Sequence, residues 1–411
     1  MDSVRFLATL FVSFLFLHTS TLFGQETSRA EEFEALRRKS ATEVKAPDRN
    51  AVESGILWVQ ERKILEKLET PGAGYKGFRP KLGGMSTGSG MGFGFQYDKV
   101  RMLDNQMNFS MVGAASLKSY QLYELKLDLP RLANEHAFVT TTARRGAMPQ
   151  EDYFGLGPTS DTANRTSYLY EDATLGVKGG VRPISWLRAG AGVDWVKLNV
   201  GRGTDPLFPS TELVFNDTNT PGLDRQPDFM KYEWFVAIDT RDSVGNPHRG
   251  GYYSVTHSQW DDRLFNEFDF SRTETELQQY VPFNAGHRVL AARLRASFDD
   301  PKDGSRVPFY LQKTLGGSND LRGFREFRFR DENQVLLNLE YRWEAWIGLD
   351  MAIFGDAGKV FNSRKDFKID DVETSYGLGF RFNTAKSVFW RIDIARSREG
   401  ARAFIKFEHV F

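Results

Sequence analysis

The sequence lacks most of the residues that sites of covalent or metal chemistry need. Its 411 residues include no cysteine, which excludes disulfides and thiolate metal sites. The six histidines form no HExxH or HxH pattern, so a zinc site is not expected. Lysine and arginine (54) balance aspartate and glutamate (54), which argues against a nucleic-acid-binding protein, since such proteins usually carry a basic excess.

Long apolar runs are also rare. The main one, from Phe6 to Leu17, follows Arg5 near the N-terminus. This length is typical of a signal peptide and too short for a membrane-spanning helix, so residues 1–24 are predicted to be a signal peptide; the alternative is a membrane anchor. No later segment reaches the roughly 18 consecutive apolar residues of a transmembrane helix. If this exported chain enters a membrane, it must therefore enter as a barrel.

Residues 25–74 are predicted to be a short periplasmic segment with one helix at about 51–69. Asn50 can cap that helix, and Glu53 has the spacing of a capping box. The TPGAG sequence at 70–74 ends it. The helix could plug a lumen, contact a partner or serve as a spacer.

From residue 75 to residue 411 the sequence alternates with period two. In QVLLNLEYRWE, residues 334–344, apolar side chains occupy the odd positions from Val335 on, whereas Asn338, Glu340 and Arg342 share the opposite face. The segments GMGFGFQYD, MKYEWFVAID, SYGLGFRF and SVFWRIDIA follow the same scheme. Successive segments of about ten alternating residues are typical of a transmembrane β-barrel with a wet interior. The pattern predicts an all-β fold.

Loop lengths and parity predict the number of strands. Short connections near Leu132, Pro183, Pro282, Ile347 and Ala385 alternate with long ones at 144–165, 199–228, 300–333 and 358–372. Outer-membrane barrels have short periplasmic turns, long external loops and even strand numbers. A further strand at 75–84 makes the total even, which predicts a 16-stranded antiparallel transmembrane β-barrel. Loop 300–333 then lies on the external face, between the eleventh and twelfth strands.

Several motifs resemble those of the bacterial surface antigen superfamily, the family of BamA and TamA. They are LGGSNDLRGF from residue 315, NLEYR from residue 338, FGDAGKVF from residue 354 and the C-terminal Phe411. The resemblance spans roughly residues 75–411. It implies a bacterial outer-membrane barrel that assembles, inserts or translocates proteins, has a plugged lumen and a lateral gate, and is not an enzyme. About 50 residues precede the first strand, too few for one POTRA domain, which predicts a short member without such domains.

The Leu321-Arg322-Gly323-Phe324 sequence is expected to pin its loop inside the barrel. On the twelfth strand Glu340 faces the lumen, and on the thirteenth Phe354 and Asp356 do, in the F-x-D-x-G motif that ends at Gly358. Two carboxylates suit the planar fork of an arginine. Arg322 is therefore predicted to contact Glu340 and Asp356 in a structural role.

Both ends of the barrel carry further predictions. Phe407, His409 and Phe411 are expected on one face of the last strand, where the terminal aromatic residue resembles the signal that the barrel-assembly machine of the cell reads. Pro80 cannot donate a hydrogen bond, and Gly77, Gly83 and Gly84 weaken the first strand. A weak junction between the first and last strands resembles the lateral gate of the family.

Expected partners are outer-membrane lipids, the assembly machine and other outer-membrane or periplasmic proteins. Two other functions stay open at this point. One is a passive outer-membrane pore or surface protein. The other, a barrel enzyme, would need a convincing motif around His257, His287 or His409, and none is present.

Overall fold

The computed structural model describes residues 77–83, 85, 89–284, 286–346, 348–369, 371–383, 388–406 and 411. The predicted signal peptide at 1–24 and the predicted helix at 51–69 lie outside these residues. No helix within the described ranges is long and apolar enough to cross a membrane.

Most of the described residues belong to one antiparallel sheet of sixteen strands, as the sequence predicted. The strands are β1 (Phe78–Gly83), β2 (Gly92–Arg101), β3 (Met107–Ser116), β4 (Gln121–Leu132), β5 (Ala137–Tyr153), β6 (Thr166–Ile184), β7 (Leu187–Arg202), β8 (Asp228–Asp239), β9 (Gly250–Asp262), β10 (Phe270–Phe283), β11 (Arg288–Pro301), β14 (Asn333–Trp346), β15 (Leu349–Phe361), β16 (Glu373–Asn383), β17 (Val388–Ser397) and β18 (Gly400–Lys406). Each pairs with its neighbours in chain order, except that β11 pairs with β14.

The period-two alternation separates an outer from an inner face. On β14, Leu337 and Leu339 are 38% and 49% exposed, whereas Asn338, Glu340 and Arg342 are buried. A lipid-facing exterior and a charged interior explain this arrangement. The sheet therefore forms a sixteen-stranded transmembrane β-barrel with a polar lumen.

Between β11 and β14 the chain makes a long excursion that contains its own small sheet. The strands β12 (Lys313–Leu315) and β13 (Phe329–Asp331) pair with each other and with no strand of the barrel wall. Residues 316–328 form the tip of this hairpin. The sequence analysis predicted this loop but not its hairpin.

Most of the remaining connections follow the predicted contrast between the two ends of the barrel. The exceptions are the long periplasmic connection 240–249 and the short external turns 117–120 and 398–399. The turns on the periplasmic side include 133–136, 185–186 and the helical turn α1 (Met102–Asn105), and the long loops on the external side include 203–227 and 362–372. Short 3-10 helices lie in the external loops, at Thr162–Asn164, Thr211–Leu213, Phe309–Leu311 and Arg364–Asp366.

Three predicted loop boundaries are wrong. The loop expected from residue 358 begins only after Phe361. The loop expected from residue 144 begins only after Tyr153 on β5, and the loop expected from residue 199 begins only after Arg202 on β7. Both β5 and β7 continue past the apolar band, and β5 contains a register shift there, between Met148 and Glu151. Packing replaces lipid contact there, because Tyr153 and Val200 join a buried aromatic cluster with external-loop residues such as Phe309.

Candidate functional site

The tip of the β12–β13 hairpin lies inside the barrel. It leaves β12 through Gly316 and Gly317, whose φ angles of +117° and +97° favour glycine. A Cβ atom on Gly316 would lie 2.0 Å from the carbonyl oxygen of Arg325, so the chain crosses itself closely at this point. The tight crossing directs residues 318–324 towards the inner face of the wall.

Arg322 contacts both carboxylates that the sequence analysis assigned to it. Its Nε and Nη2 atoms donate to Asp356 at 3.0 and 2.6 Å, and Nη1 donates to Glu340. The backbone N–H of Arg322 also donates to Asp356, at 3.1 Å. All three side chains are fully buried. Arg322 thus binds β14 and β15 at the same time.

The two carboxylates differ in their other partners. Glu340 also accepts from Arg342, at 2.7 Å, and from Arg381, at 3.2 Å. Asp356 accepts from Asn338 at 2.7 Å and from Ser375 at 3.0 Å, and both of these donors are neutral. Within the described ranges, Arg322 is the one cation that forms an ion pair with Asp356.

Phe354 forms the floor under the guanidinium of Arg322. The Arg322 Cζ atom lies 3.4 Å from the centre of the Phe354 ring, a cation–π contact in a place without water contact. Burial opposes the charge of Arg322, but Asp356 and Glu340 outweigh burial and raise the pKa of its guanidinium. The arginine is therefore held in place as a permanent cation.

Gly323 fits a gap that no larger residue would fit. A Cβ atom at this position would lie 2.6 Å from the Cβ atoms of Ser375 and Ser397. Ser397 donates its hydroxyl to the carbonyl oxygen of Gly323 at 2.7 Å. The loop therefore also contacts β16 and β17.

Leu321 and Phe324 close the other side of the motif. Both are fully buried in an apolar cluster with Leu315, Phe329, Leu336 and Val360. A Cβ atom on Gly358 would lie 3.0 Å from Leu315, so this glycine leaves room for the hairpin against β15. Phe354 covers the guanidinium of Arg322, whereas Phe324 packs edge-to-face on Phe329.

The network extends further along the inner wall than the sequence analysis expected. Arg391 on β17 donates to the carbonyl oxygen of Ser318 at 3.1 Å and to Asn319 at 2.9 Å. Arg295 on β11 donates to Asp320 at 2.7 Å. The alternation of side chains places Arg295 and Arg391 on the polar face of their strands, but no local sequence pattern predicts which loop atom each contacts.

The charged groups of this arrangement are paired with one another. The carboxylates of Glu340 and Asp356 are engaged by arginines, and the described ranges hold no group of three acidic or histidine side chains fit for a metal. His257 contacts Thr273 and His287 contacts Glu344, both away from the loop. His409 and Phe407 lie outside the described residues.

The C-terminal residue differs from its prediction. Ile405 is 59% exposed on the outer face, but Phe411 is buried in the lumen against Tyr280, Val289 and Ala291. Its ring lies 4.9 and 5.2 Å from the guanidinium carbons of Arg293 and Arg342. The prediction placed residue 411 on the same face as Ile405, whereas the structure places these two side chains on opposite sides of the wall.

The first strand lies where the parity argument predicted it. Pro80 is on β1, opposite Phe95 of β2, and its side chain is exposed on the outer face. Within the described ranges no hydrogen-bonded pair joins β1 to β18, the other edge of the sheet. We call the junction between these two edge strands the seam.

Comparison with known proteins identifies the family. The Omp85 superfamily domain matches residues 86–403, more than three quarters of the chain. The chain belongs to the Omp85 superfamily. This confirms the resemblance carried by the LRGF loop, and it places this Omp85 protein in the bacterial outer membrane. Omp85 proteins are assembly or translocation barrels, so this chain is an outer-membrane barrel of that kind.

The solved structure of a BamA protein agrees with the fold. BamA from Haemophilus ducreyi lacking POTRA domains 1–3 is similar with a TM-score of 0.59 and 11% identity, over 90% of this chain and 80% of that one. CdiB from Escherichia coli has a TM-score of 0.49 and 12% identity, over 77% and 57%. CdiB from Acinetobacter baumannii has a TM-score of 0.46 and 10% identity, over 77% and 55%.

Proposed function

We propose that this Omp85 protein assists the insertion of other proteins into the outer membrane by lateral opening at the seam. The observation that carries the proposal is that, within the described ranges, no hydrogen-bonded pair joins the two edge strands β1 and β18. Pro80 on β1 has no backbone N–H, so it cannot donate to a ladder. Edge strands without a described ladder between them should separate at a smaller cost than paired neighbours.

The buried loop supports opening at the seam rather than passage along the barrel axis. Its tip contacts β11 through Arg295, and β14 and β15 through Arg322. Gly323 lies against Ser375 of β16, and Ser397 and Arg391 join the tip to β17. These contacts occupy the lumen and hold five strands together up to one strand before the seam. In this proposal the loop is a structural brace without bond-making chemistry, and the seam is the movable part.

The first test measures insertion directly. The full chain is reconstituted in vesicles, and a urea-unfolded eight-stranded outer-membrane barrel is added. We expect its heat-modifiable folded band to form faster than in protein-free vesicles. An equal rate in both would contradict the proposed function.

The second test crosslinks the seam. Because the chain has no native cysteine, only the introduced thiols can form a disulfide. Phe78→Cys with Ile405→Cys places thiols on the outer face of both edge strands. The matched control joins Ile392→Cys to the same Ile405→Cys, because these two residues are direct partners on β17 and β18. The control pair should crosslink fully, and the crosslinked protein should keep its insertion activity. The seam pair should crosslink partially, and its crosslinked fraction should lose insertion until reduced.

A passive pore would give different results. A pore would conduct steadily in planar bilayers, would not accelerate insertion, and would be indifferent to the seam crosslink. A barrel with a braced loop should show low conductance with brief openings.

A further inference from the structure

The outer face of the barrel contains a groove that the proposed function does not use. It lies across β2 to β7, far along the sheet from β18, and has a volume of about 440 Å³. Its walls include Tyr123, Leu175 and Trp195, which are 50 to 54% exposed and therefore face lipid. An acyl chain is the natural occupant of an apolar groove in this position.

Small residues make the groove. Strand pairing places Leu125, Ala143, Leu175 and Trp195 in one row across β4 to β7, so Ala143 is a gap between larger side chains. In the next row towards the outside, Ala173 is a second gap. These two alanines form the floor between the walls.

Two cations lie on either side of Ala173. Arg145 on β5 and Lys197 on β7 are both direct partners of Ala173 on β6, and both are exposed on the outer face. Two strand spacings separate their backbones by roughly 10 Å. In the described part of the chain, neither side chain forms an ion pair or hydrogen bond. Arg144, the neighbour that points inward, is paired with Asp172.

The position of these cations corresponds to the outer edge of the apolar band. On β7 the outward residues before Lys197 are Val193 and Trp195, and the next one is Asn199. Asn199 donates to Glu171 at 2.7 Å, so the nearest outward carboxylate on β6 already has a partner. β7 runs from the periplasmic to the external side, so Arg145 and Lys197 lie at the headgroup level of the outer leaflet.

We propose that this groove binds a lipid of the outer leaflet whose headgroup carries two phosphates, a glycolipid of the lipid A type. One phosphate contacts Arg145, the other contacts Lys197, and an acyl chain lies over Ala143 and Ala173. Charge complementarity selects this occupant: two unpaired cations about 10 Å apart at the end of an apolar groove match a doubly charged headgroup with its chains below. A headgroup with one phosphate would satisfy only one of them.

Native mass spectrometry of the full chain in detergent tests the proposal. The protein is titrated with bisphosphorylated lipid A, monophosphorylated lipid A and phosphatidylglycerol. The wild type should bind the bisphosphorylated form at least tenfold more tightly than phosphatidylglycerol, with the monophosphorylated form between them. The double variant Arg145→Gln, Lys197→Gln should lose at least tenfold in affinity for the bisphosphorylated form.

Two further variants separate the groove from general charge effects. The control, Lys99→Gln with Arg288→Gln, removes two exposed cations outside the groove and should bind like the wild type. Ala143→Leu fills the floor without a change of charge and should weaken binding. The heat-modifiable band verifies that each variant is folded. Equal binding by the Arg145/Lys197 variant, an equal loss in the control, or wild-type binding of phosphatidylglycerol as tight as that of lipid A would overturn the proposal. Unchanged lipid A binding by Ala143→Leu would contradict the placement of the acyl chain over Ala143.

Discussion

The wall from β14 to β17 and the seam between β1 and β18 belong to one sheet but are stabilised differently. The wall carries a buried network of four arginines, Arg322, Arg342, Arg381 and Arg391, and three carboxylates, Glu340, Asp356 and Asp393. At the seam lie the two edge strands of the sheet, which no hydrogen-bonded pair joins within the described ranges, and one of them contains Pro80.

The wall and the seam differ in the number of conformations that each permits. Buried charges are strongly destabilising unless every partner is in place, so the wall has one low-energy arrangement. Two edge strands that no described hydrogen-bonded pair joins have no comparable constraint. In the function proposed above, the braced wall would keep its arrangement while the seam opens.

The largest loss of stability should come from Arg322→Ala, which removes the ion pairs between the loop and the wall. Asp356 loses its one ion-pair partner among the described residues, while Glu340 keeps Arg342 and Arg381. An uncompensated buried charge costs about 3–5 kcal/mol. We expect a lower temperature for loss of the heat-modifiable band and a lower yield of folded barrel.

Two variants calibrate that result. Arg322→Lys should recover only part of the stability, because a lysine cannot bind both carboxylates with a planar fork. Arg364→Ala removes an external, half-exposed pair with Asp300 and should change stability by about 0–1 kcal/mol. If Arg322→Ala were as mild as Arg364→Ala, the wall would not depend on this network.

A smaller effect is expected from Gly323→Ala. The added Cβ atom would lie 2.6 Å from Ser375 and Ser397, and overpacking of this kind typically costs about 1–3 kcal/mol. Gly355→Ala is the matched control, because no atom lies within 4 Å of a Cβ atom there. Thermal unfolding of both variants should show a loss at position 323 alone; equal melting would mean that the loop adjusts freely.

Deletion of Phe411 tests the C-terminal end of the chain, which follows the edge strand β18. Its ring contacts Arg293 and Arg342 inside the lumen, and cation–π contacts are worth about 0.5–2 kcal/mol each. If Phe411 also ends an assembly signal, as its position predicts, deletion should lower the rate of insertion of this chain into vesicles in addition to its melting temperature. A lower melting temperature with an unchanged rate would leave it a purely structural residue.

Strict alternation explains why much of the site could be predicted. On β14 and β15 every second side chain faces the lumen without interruption, so Glu340, Phe354 and Asp356 could be placed from their positions alone. The loop partner followed because a buried arginine needs acceptors. The position of Phe411 was missed because its contacts are with β10 and β11, strands that lie far from it in the sequence. Ser397 was missed because its contact with Gly323 joins residues 74 positions apart.

The mildest predicted effect concerns the external end of the same loop. Arg306 donates to Asp217 at 2.6 Å, joining the base of the 302–332 excursion to loop 203–227. Burial alone would raise the pKa of Asp217, but hydrogen bonds from Arg306 and from the backbone of Gly222 outweigh it and lower that pKa. A carboxyl group with a lowered folded pKa contributes stability above its unfolded value of about 3.9, and the contribution is lost as the pH falls through the lower folded value. Below about pH 4, hydrogen exchange in loop 203–227, corrected for intrinsic rates, should therefore increase, and Arg306→Gln should show the faster exchange already at neutral pH. Exchange around Arg322 should stay slow over the same range, because the carboxylates there are fully buried against arginines. A parallel loss of protection at both ends of the loop would mean that the inner brace depends on the external pair.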